Sequence, residues 1–324
     1  MATSGLAATS GCGSQCIYLE AGFLVITIRA AGWCCINRFF RRDHHGRSFC
    51  PFLLRRFSAL GLKLCSVWLL SAICFSTVSR AAGPDCSRPY TLALHDHGLL
   101  YSADTDSGID RDFADELSRR SGCNVIISLM SRARIWQLIE SGALDFSLSG
   151  IATPERLRYA SFAWYFSNKY YLLVRKDSGI RQVSQVEDIP RFQLGVIRSF
   201  RYSDAANRLV DVLSSRDQVV LAGGLDPLYA ALLSNRIQGM IMEPFDYPAL
   251  QAKNIREQTT IVEFNDPATS HGLIMSNKSL SPGEREKWRA LVDAMRADGT
   301  VKRIFEKYFS AALAGTMVDF QVAP

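Results

Sequence analysis

Clustered basic residues, paired cysteines and long uncharged apolar runs are all scarce in the main part of this 324-residue chain. The formal charge of +6 invites a nucleic-acid reading, but its distribution opposes one. Residues 1–81 hold nine Lys/Arg and two acids, leaving 28 basic and 29 acidic residues beyond Ala81. A phosphate-binding surface needs clustered Lys/Arg on the folded body, and that body is nearly neutral. The cysteines divide the same way: seven of the nine lie in the first 81 residues, and only Cys86 and Cys123 follow. The early ones lack the Cys-x-x-Cys pairs of a zinc module. No nucleophile–base set stands out, and no repeat of solenoid length is present. The composition is that of an ordinary globular protein long enough for about two domains.

Residues 55–82 read RRFSALGLKLCSVWLLSAICFSTVSRAA. Arg55, Arg56 and Lys63 form a positive start, Leu64 to Val78 is uncharged and apolar, and small residues close the segment near Ala81. This is the three-part pattern of a secretory signal, placed at 55–81. The apolar run is short for a membrane span, although a retained anchor stays open as an alternative. A signal should begin close to the initiator, so residues 1–54 are expected to be a disordered or mis-started leader. The apolar stretch within them, Ile17 to Ile36, carries Glu20 and Arg29, which are costly in a bilayer. No cysteine sits at the cleavage position to carry a lipid.

Beyond the signal the chain alternates strands and helices. Strands are expected at Tyr90–His95, Asn124–Leu129, Leu144–Leu148 and Tyr170–Lys176, with helices at Asp110–Ser121 and Arg134–Glu140. A second cycle follows, with strands at Gln193–Ile197, Gln218–Leu221, Gly239–Glu243 and Thr259–Phe264 and helices at Tyr202–Leu213 and Asp226–Arg236. His271–Asn277 is a further strand, and Pro282–Phe309 is helical with a break at Asp298-Gly299. Such alternation favours mostly parallel sheets covered by helices. Two cycles imply an α/β fold of two lobes, with a ligand cleft beyond the C-terminal ends of the strands. Cys86 and Cys123 each precede one of the first two strands. If those strands are parallel neighbours, both cysteines reach the same sheet edge and a disulfide is feasible in an oxidising compartment; the alternative is two separate thiols.

Several segments carry a resemblance. Gly108-Ile109-Asp110-Arg111-Asp112-Phe113-Ala114, then Trp136-Gln137-Leu138-Ile139 with Ser141-Gly142-Ala143-Leu144-Asp145, then Ser149-Gly150-Ile151-Ala152-Thr153-Pro154-Glu155-Arg156 are similar to the family 3 bacterial solute-binding proteins. Leu194-Gly195-Val196, Asn235 to Met240 and His271-Gly272-Leu273 continue it, over roughly residues 88–309. The Thr-Pro-Glu-Arg block is its most specific piece. The resemblance implies a periplasmic-binding-protein-like fold. Lobe 1 would comprise 82–176 plus 268–324 and lobe 2 would comprise 177–267, joined by two crossover strands. It also implies an exported monomer that captures a small polar solute, an amino acid or related carboxylate, by hinge closure and delivers it to an inner-membrane ABC permease. No cofactor, metal or nucleic acid is implied.

The residues themselves make chemical sense for that task. Arg156 offers a planar fork for a carboxylate, and Thr153-Pro154 reads as a helix N-terminus whose free N–H groups attract anions. Glu243 stands where the family usually carries an Asp for the ligand's ammonium. Tyr101 falls near the aromatic platform of lobe 1. Ser149 and Ser199 supply hydroxyls, with Ser199 at the start of a helix. Three departures put a standard α-amino acid in doubt: Ile151 replaces a hydroxyl donor, His95 to Tyr101 replaces an aromatic-Pro-Pro-Phe segment, and Ser199-Phe200 replaces Gly-Thr. His95 and His97 alternate on one strand face but lack an identifiable third partner for a metal. An enzyme on the same fold, cyclohexadienyl or arogenate dehydratase-like with Glu243 as general acid/base, is the alternative function.

Overall fold

A computed structural model describes residues 83–320. The expected leader at 1–54 and signal peptide at 55–81 lie outside the described residues. Two five-stranded mixed sheets organise the described chain. In the first, β1 (Tyr90–Leu94) runs parallel to β2 (Val125–Leu129) and β3 (Phe146–Gly150), and β10 (Thr269–Ser276) lies antiparallel between β3 and β4 (Ala160–Asn168). In the second, β6 (Leu194–Ile197) runs parallel to β7 (Val219–Ala222) and β8 (Gly239–Met242), while β5 (Tyr171–Arg175) lies antiparallel between β8 and β9 (Thr259–Glu263). The chain therefore crosses between sheets twice, from β4 to β5 and from β9 to β10. This differs from the sequence reading. Tyr171–Arg175, expected in lobe 1, belongs to the second sheet, because its apolar residues pair with β8 and β9.

Local chemistry sets the helix ends. Helix α1 (Ile109–Ser121) carries Asp110 and Asp112 in its first turn and Arg119 and Arg120 in its last, matching the helix dipole. It stops at Gly122, whose φ of 72° suits glycine and whose N–H donates to the Ser118 carbonyl. Helix α2 (Arg132–Ser141) is capped by Ser131, which accepts from the Arg134 N–H, and ends at Gly142. In lobe 2, α3 (Asp204–Ser214) and α4 (Leu225–Leu233) cover the sheet, and the short α5 (Tyr247–Ala252) and α6 (Ile255–Gln258) lead into β9. Helix α7 (Pro282–Ala297) pairs a Ser281 cap with proline at its first position. The break expected at Asp298-Gly299 separates it from α8 (Thr300–Phe305), and α9 (Ala311–Val318) closes the described chain.

Lobe 1 is built around aromatics. Trp288, Phe113, Phe146, Tyr165 and Phe305 are fully buried in one cluster, and truncating a buried ring of this kind costs about 3–5 kcal/mol. In β5 the side chains alternate: Leu172 and Val174 join the cluster on one face of the second sheet, and Leu173 joins the other. Strand β4 was not foreseen. Its residues ASFAWYFSN are buried along both faces, so the alternation that marks a half-exposed strand is missing. Cys86 and Cys123 are joined in a disulfide at the N-terminal edge of β1 and β2, with Cα atoms 4.8 Å apart. Among the described residues, no helix is long and apolar enough to cross a membrane.

Candidate functional site

The parallel strands of both sheets aim their C-terminal ends at a shared cleft, where ligand sites form in such sheets. From lobe 1 come His95 and His97 after β1 and Ser149 to Arg156 at the end of β3. From lobe 2 come Ser199 and Phe200 after β6 and Glu243 after β8. Arg132, at the first position of α2, joins them. A cavity of about 700 Å³ opens on one side, lined by His95, His97, Arg132 and Phe200 among others. Behind Phe200 lies a small cavity of about 20 Å³, lined by Arg132, Ser149, Arg156, Ser199, Arg201 and Glu243 together with Tyr170 and His271.

Arg156 holds the two lobes together. It is 8% exposed. Its Nη1 donates to the Ile151 carbonyl and its Nη2 to the Ser199 carbonyl in lobe 2, both at 2.9 Å. The guanidinium lies 3.8 Å from the centre of the Trp136 ring, a cation–π contact. Burial, with the Arg132 and Arg201 charges nearby, lowers its pKa to about 9. It remains protonated at neutral pH.

Several expected roles change. Thr153 to Arg156 does not open an α-helix. Arg156–Arg158 is a single tight turn that runs straight into β4, too short to present a dipole. Thr153 Oγ1 accepts from the Arg156 N–H at 3.2 Å and stabilises the turn; the residue is not part of the small cavity's lining. Tyr101 is buried in the lobe 1 core and its hydroxyl donates to Asp106, so it lines neither cavity. Ser149 reaches the cavity wall, but its hydroxyl donates to Asp110 at 2.7 Å. The Tyr165 hydroxyl donates to the same carboxylate oxygen at 3.0 Å. Burial raises Asp110 to about 6. Ser199 turns its carbonyl to Arg156, and the helix expected beside it begins only at Asp204.

Glu243 differs most from expectation. It is 4% exposed, and both of its oxygens are engaged. Oε1 meets His97 Nε2 at 2.7 Å, and Oε2 accepts from the Asn168 side chain at 3.0 Å. Asp246 sits 3.6 Å from the same imidazole nitrogen and accepts from the Glu243 backbone N–H. Burial alone would lower His97, but the Glu243 hydrogen bond and the Asp246 charge outweigh it and leave its pKa raised. Burial opposes ionisation of Glu243 as well, and the contacts with His97 overcome it, so its pKa is lowered. Burial pushes Asp246 up to about 7, reinforced by repulsion from Glu243. The result is a buried His97–Glu243 ion pair linking lobe 1 to lobe 2.

The other two histidines among the described residues, His95 and His271, are neutral. Burial and the Arg132 charge take His95 well below its usual range, and burial takes His271 to about 4. His95 Nε2 accepts from Arg132 Nη2 at 3.0 Å. His271 Nδ1 lies 2.9 Å from the Thr269 carbonyl, so it carries the proton, and Nε2 accepts from the Tyr170 hydroxyl at 2.8 Å. The His95 and His97 rings stack 5.4 Å apart, and Phe200 packs against both. Among the described residues, no group of three or more His, Cys, Asp or Glu is placed to hold a metal ion. Arg132, Tyr170, Arg201 and His271 belong to the small cavity and were given no site role from sequence, although His271 stood in a segment of the resemblance.

Comparisons with known proteins bear on the family and the fold. A family model described as bacterial extracellular solute-binding proteins, family 3, matches residues 77–311. No curated protein sequence matches the chain. Among solved structures, an ancestral arginine-binding protein bound to arginine is similar over 70% of this chain and 100% of its own, at 20% identity and a TM-score of 0.59. The arginine-, lysine-, histidine-binding protein ArtJ from the thermophilic bacterium Geobacillus stearothermophilus is similar over 68% of this chain and 95% of its own, at 16% identity and a TM-score of 0.59. An ABC uptake transporter substrate binding protein from Streptococcus pneumoniae with bound histidine is similar over 68% and 92%, at 17% identity and a TM-score of 0.58. At these identities the likeness establishes the two-lobed α/β fold.

Proposed function

We infer the function from one premise: the chain belongs to the bacterial extracellular solute-binding proteins, family 3. That is a family of binding proteins, which counts against the dehydratase-like alternative. We propose that the protein is the exported substrate-binding component of an ABC transporter. It works in the periplasm as a monomer, after removal of the signal peptide at 55–81, and docks on an inner-membrane permease. Its solute is a small polar molecule with a carboxylate, an amino acid or a related acid.

The observation that carries this reading is Arg156, a buried guanidinium of lobe 1 that donates across the cleft to lobe 2. The Ser199 backbone carbonyl accepts the hydrogen bond from its Nη2. A carboxylate is a stronger acceptor than a carbonyl and fits the fork in two places. Solute entering the parted lobes would take over that donor and draw the lobes shut behind it, the hinge closure common to periplasmic binding proteins. The Phe200 ring then stands between the site and the open cleft.

A thermal-shift screen of the full chain against amino acids and small carboxylates tests the proposal. A solute at about one hundred times its Kd stabilises by about 2.7 kcal/mol. For a chain of this size that raises Tm by about 5–10 °C. No shift with any carboxylate at millimolar concentration would defeat the solute-binding reading.

A further inference from the structure

The charges around the small cavity say more about the solute than the family does. Three arginines line it, Arg132, Arg156 and Arg201. Arg132 is 6% exposed and Arg156 8% exposed. Arg132 spends its Nη1 on the Leu148 carbonyl and its Nη2 on His95, at 3.0 Å each. Arg156 has only the carbonyls of Ile151 and Ser199. Among the described residues, neither guanidinium lies within 4.0 Å of a carboxylate oxygen. Buried charges are ordinarily paired, because leaving one unpaired is costly. Here the two repel one another, and the buried Asp110 carboxylate, held by Ser149 and Tyr165, offsets the Arg132 charge only from beyond 4.0 Å and leaves Arg156 without an anion.

One carboxylate does line the cavity, and it is already occupied. Glu243 is held by His97 on one oxygen and Asn168 on the other. Its charge is balanced by His97, so an incoming ammonium meets three arginines lining the cavity and finds the lining carboxylate already taken. We infer that this cleft selects a small organic dianion without an ammonium group. One anionic group is held by Arg156, and the second by Arg132 with Arg201. At about 20 Å³ the cavity fits one water-sized group, so the dianion enters with the lobes further apart. This inference rests on the proposed solute-binding function and narrows its solute.

The test pairs each dianion with its α-amino counterpart in calorimetric titrations of the full chain: succinate against aspartate, 2-oxoglutarate against glutamate. Glycerol 3-phosphate separates a phosphate ester from a dicarboxylate, and arginine serves as the cationic probe. The expected result is at least about tenfold tighter binding of a dianion than of its amino counterpart, since like charges brought together across a site cost several kcal/mol. Arginine should be weaker still. Arg201 is exposed, so Arg201→Gln should fold normally and weaken the dianion by about tenfold while changing a monocarboxylate such as acetate less. Arg132→Gln should weaken it further. Equal or tighter binding of the amino acids would overturn the inference and leave solute binding standing. Dianion binding indifferent to both arginine substitutions would overturn it as well. Silence from every probe would overturn the inference and the solute-binding reading together.

Discussion

Removing the Cys86–Cys123 disulfide should weaken lobe 1 by an amount the structure sets. The bond closes a loop of 37 residues that contains β1, α1 and the entry to β2. Closing such a loop in the unfolded chain costs conformational entropy, and the chain-entropy relation gives about 4 kcal/mol at 25 °C. Strands β1 and β2 are parallel neighbours in register from Tyr90 with Val125 onward, which brings both cysteines to the same sheet edge. The double variant Cys86→Ala with Cys123→Ala isolates the effect, alanine being chosen because Cys123 is buried. Urea unfolding read by tryptophan fluorescence suits the question, since Trp136, Trp164 and Trp288 all sit in lobe 1. With a slope of about 2.5 kcal/mol/M, the midpoint should fall by about 1.5 M. A fall below about 0.3 M, under 1 kcal/mol on the same slope, would refute the loop-closure argument. Recovery of both cysteines as free thiols in peptides from the unreduced protein would refute the bond itself.

Two further outcomes follow from the interlobe contacts. Asp246 is pushed up to about 7 by burial, so the folded state binds its proton more tightly than the unfolded chain does; the stability this contributes is complete in acid and is lost as pH rises through about 7. Tm should therefore fall between pH 6 and pH 8 in the native protein and fall less in Asp246→Asn, which keeps an acceptor for the Glu243 N–H; equal slopes in the two proteins would contradict the assignment. Gly98 has φ +51° and a Cβ there would stand 2.5 Å from the Phe245 carbonyl oxygen, so Gly98→Ala should cost about 1–3 kcal/mol and loosen the contact between Leu99 and Phe245. An unchanged Tm would show that this segment yields freely.

Most of the fold was legible because local signals were strong. Helix α1 carries its own dipole-matched charges and a terminal glycine, and Asp298-Gly299 divides the C-terminal helices where the turn chemistry puts it. Strand β4 was hidden because burial on both faces erases alternation. The α-helix expected after Pro154 failed because Tyr159 and the apolar run behind it extend into β4 after one turn. The site was only half legible. Arg156 stood in a specific block, and its place at the cleft follows from the end of β3. The fate of Glu243 could not be read locally, because its partner His97 lies 146 residues away. Ser149 shows the same limit: its hydroxyl belongs to Asp110, 39 residues earlier. A side chain's type announces what it can bind, while its partners across the fold decide whether it is still available.

The most direct test of the central claim is a calorimetric titration of Arg156→Ala with whichever carboxylate stabilises the native protein most. A buried guanidinium facing a carboxylate is worth about 2–5 kcal/mol when truncated, so affinity should fall by about thirtyfold or more, with the far-ultraviolet spectrum unchanged. Undiminished affinity in a folded variant would contradict the claim that this cleft closes on a carboxylate held by Arg156.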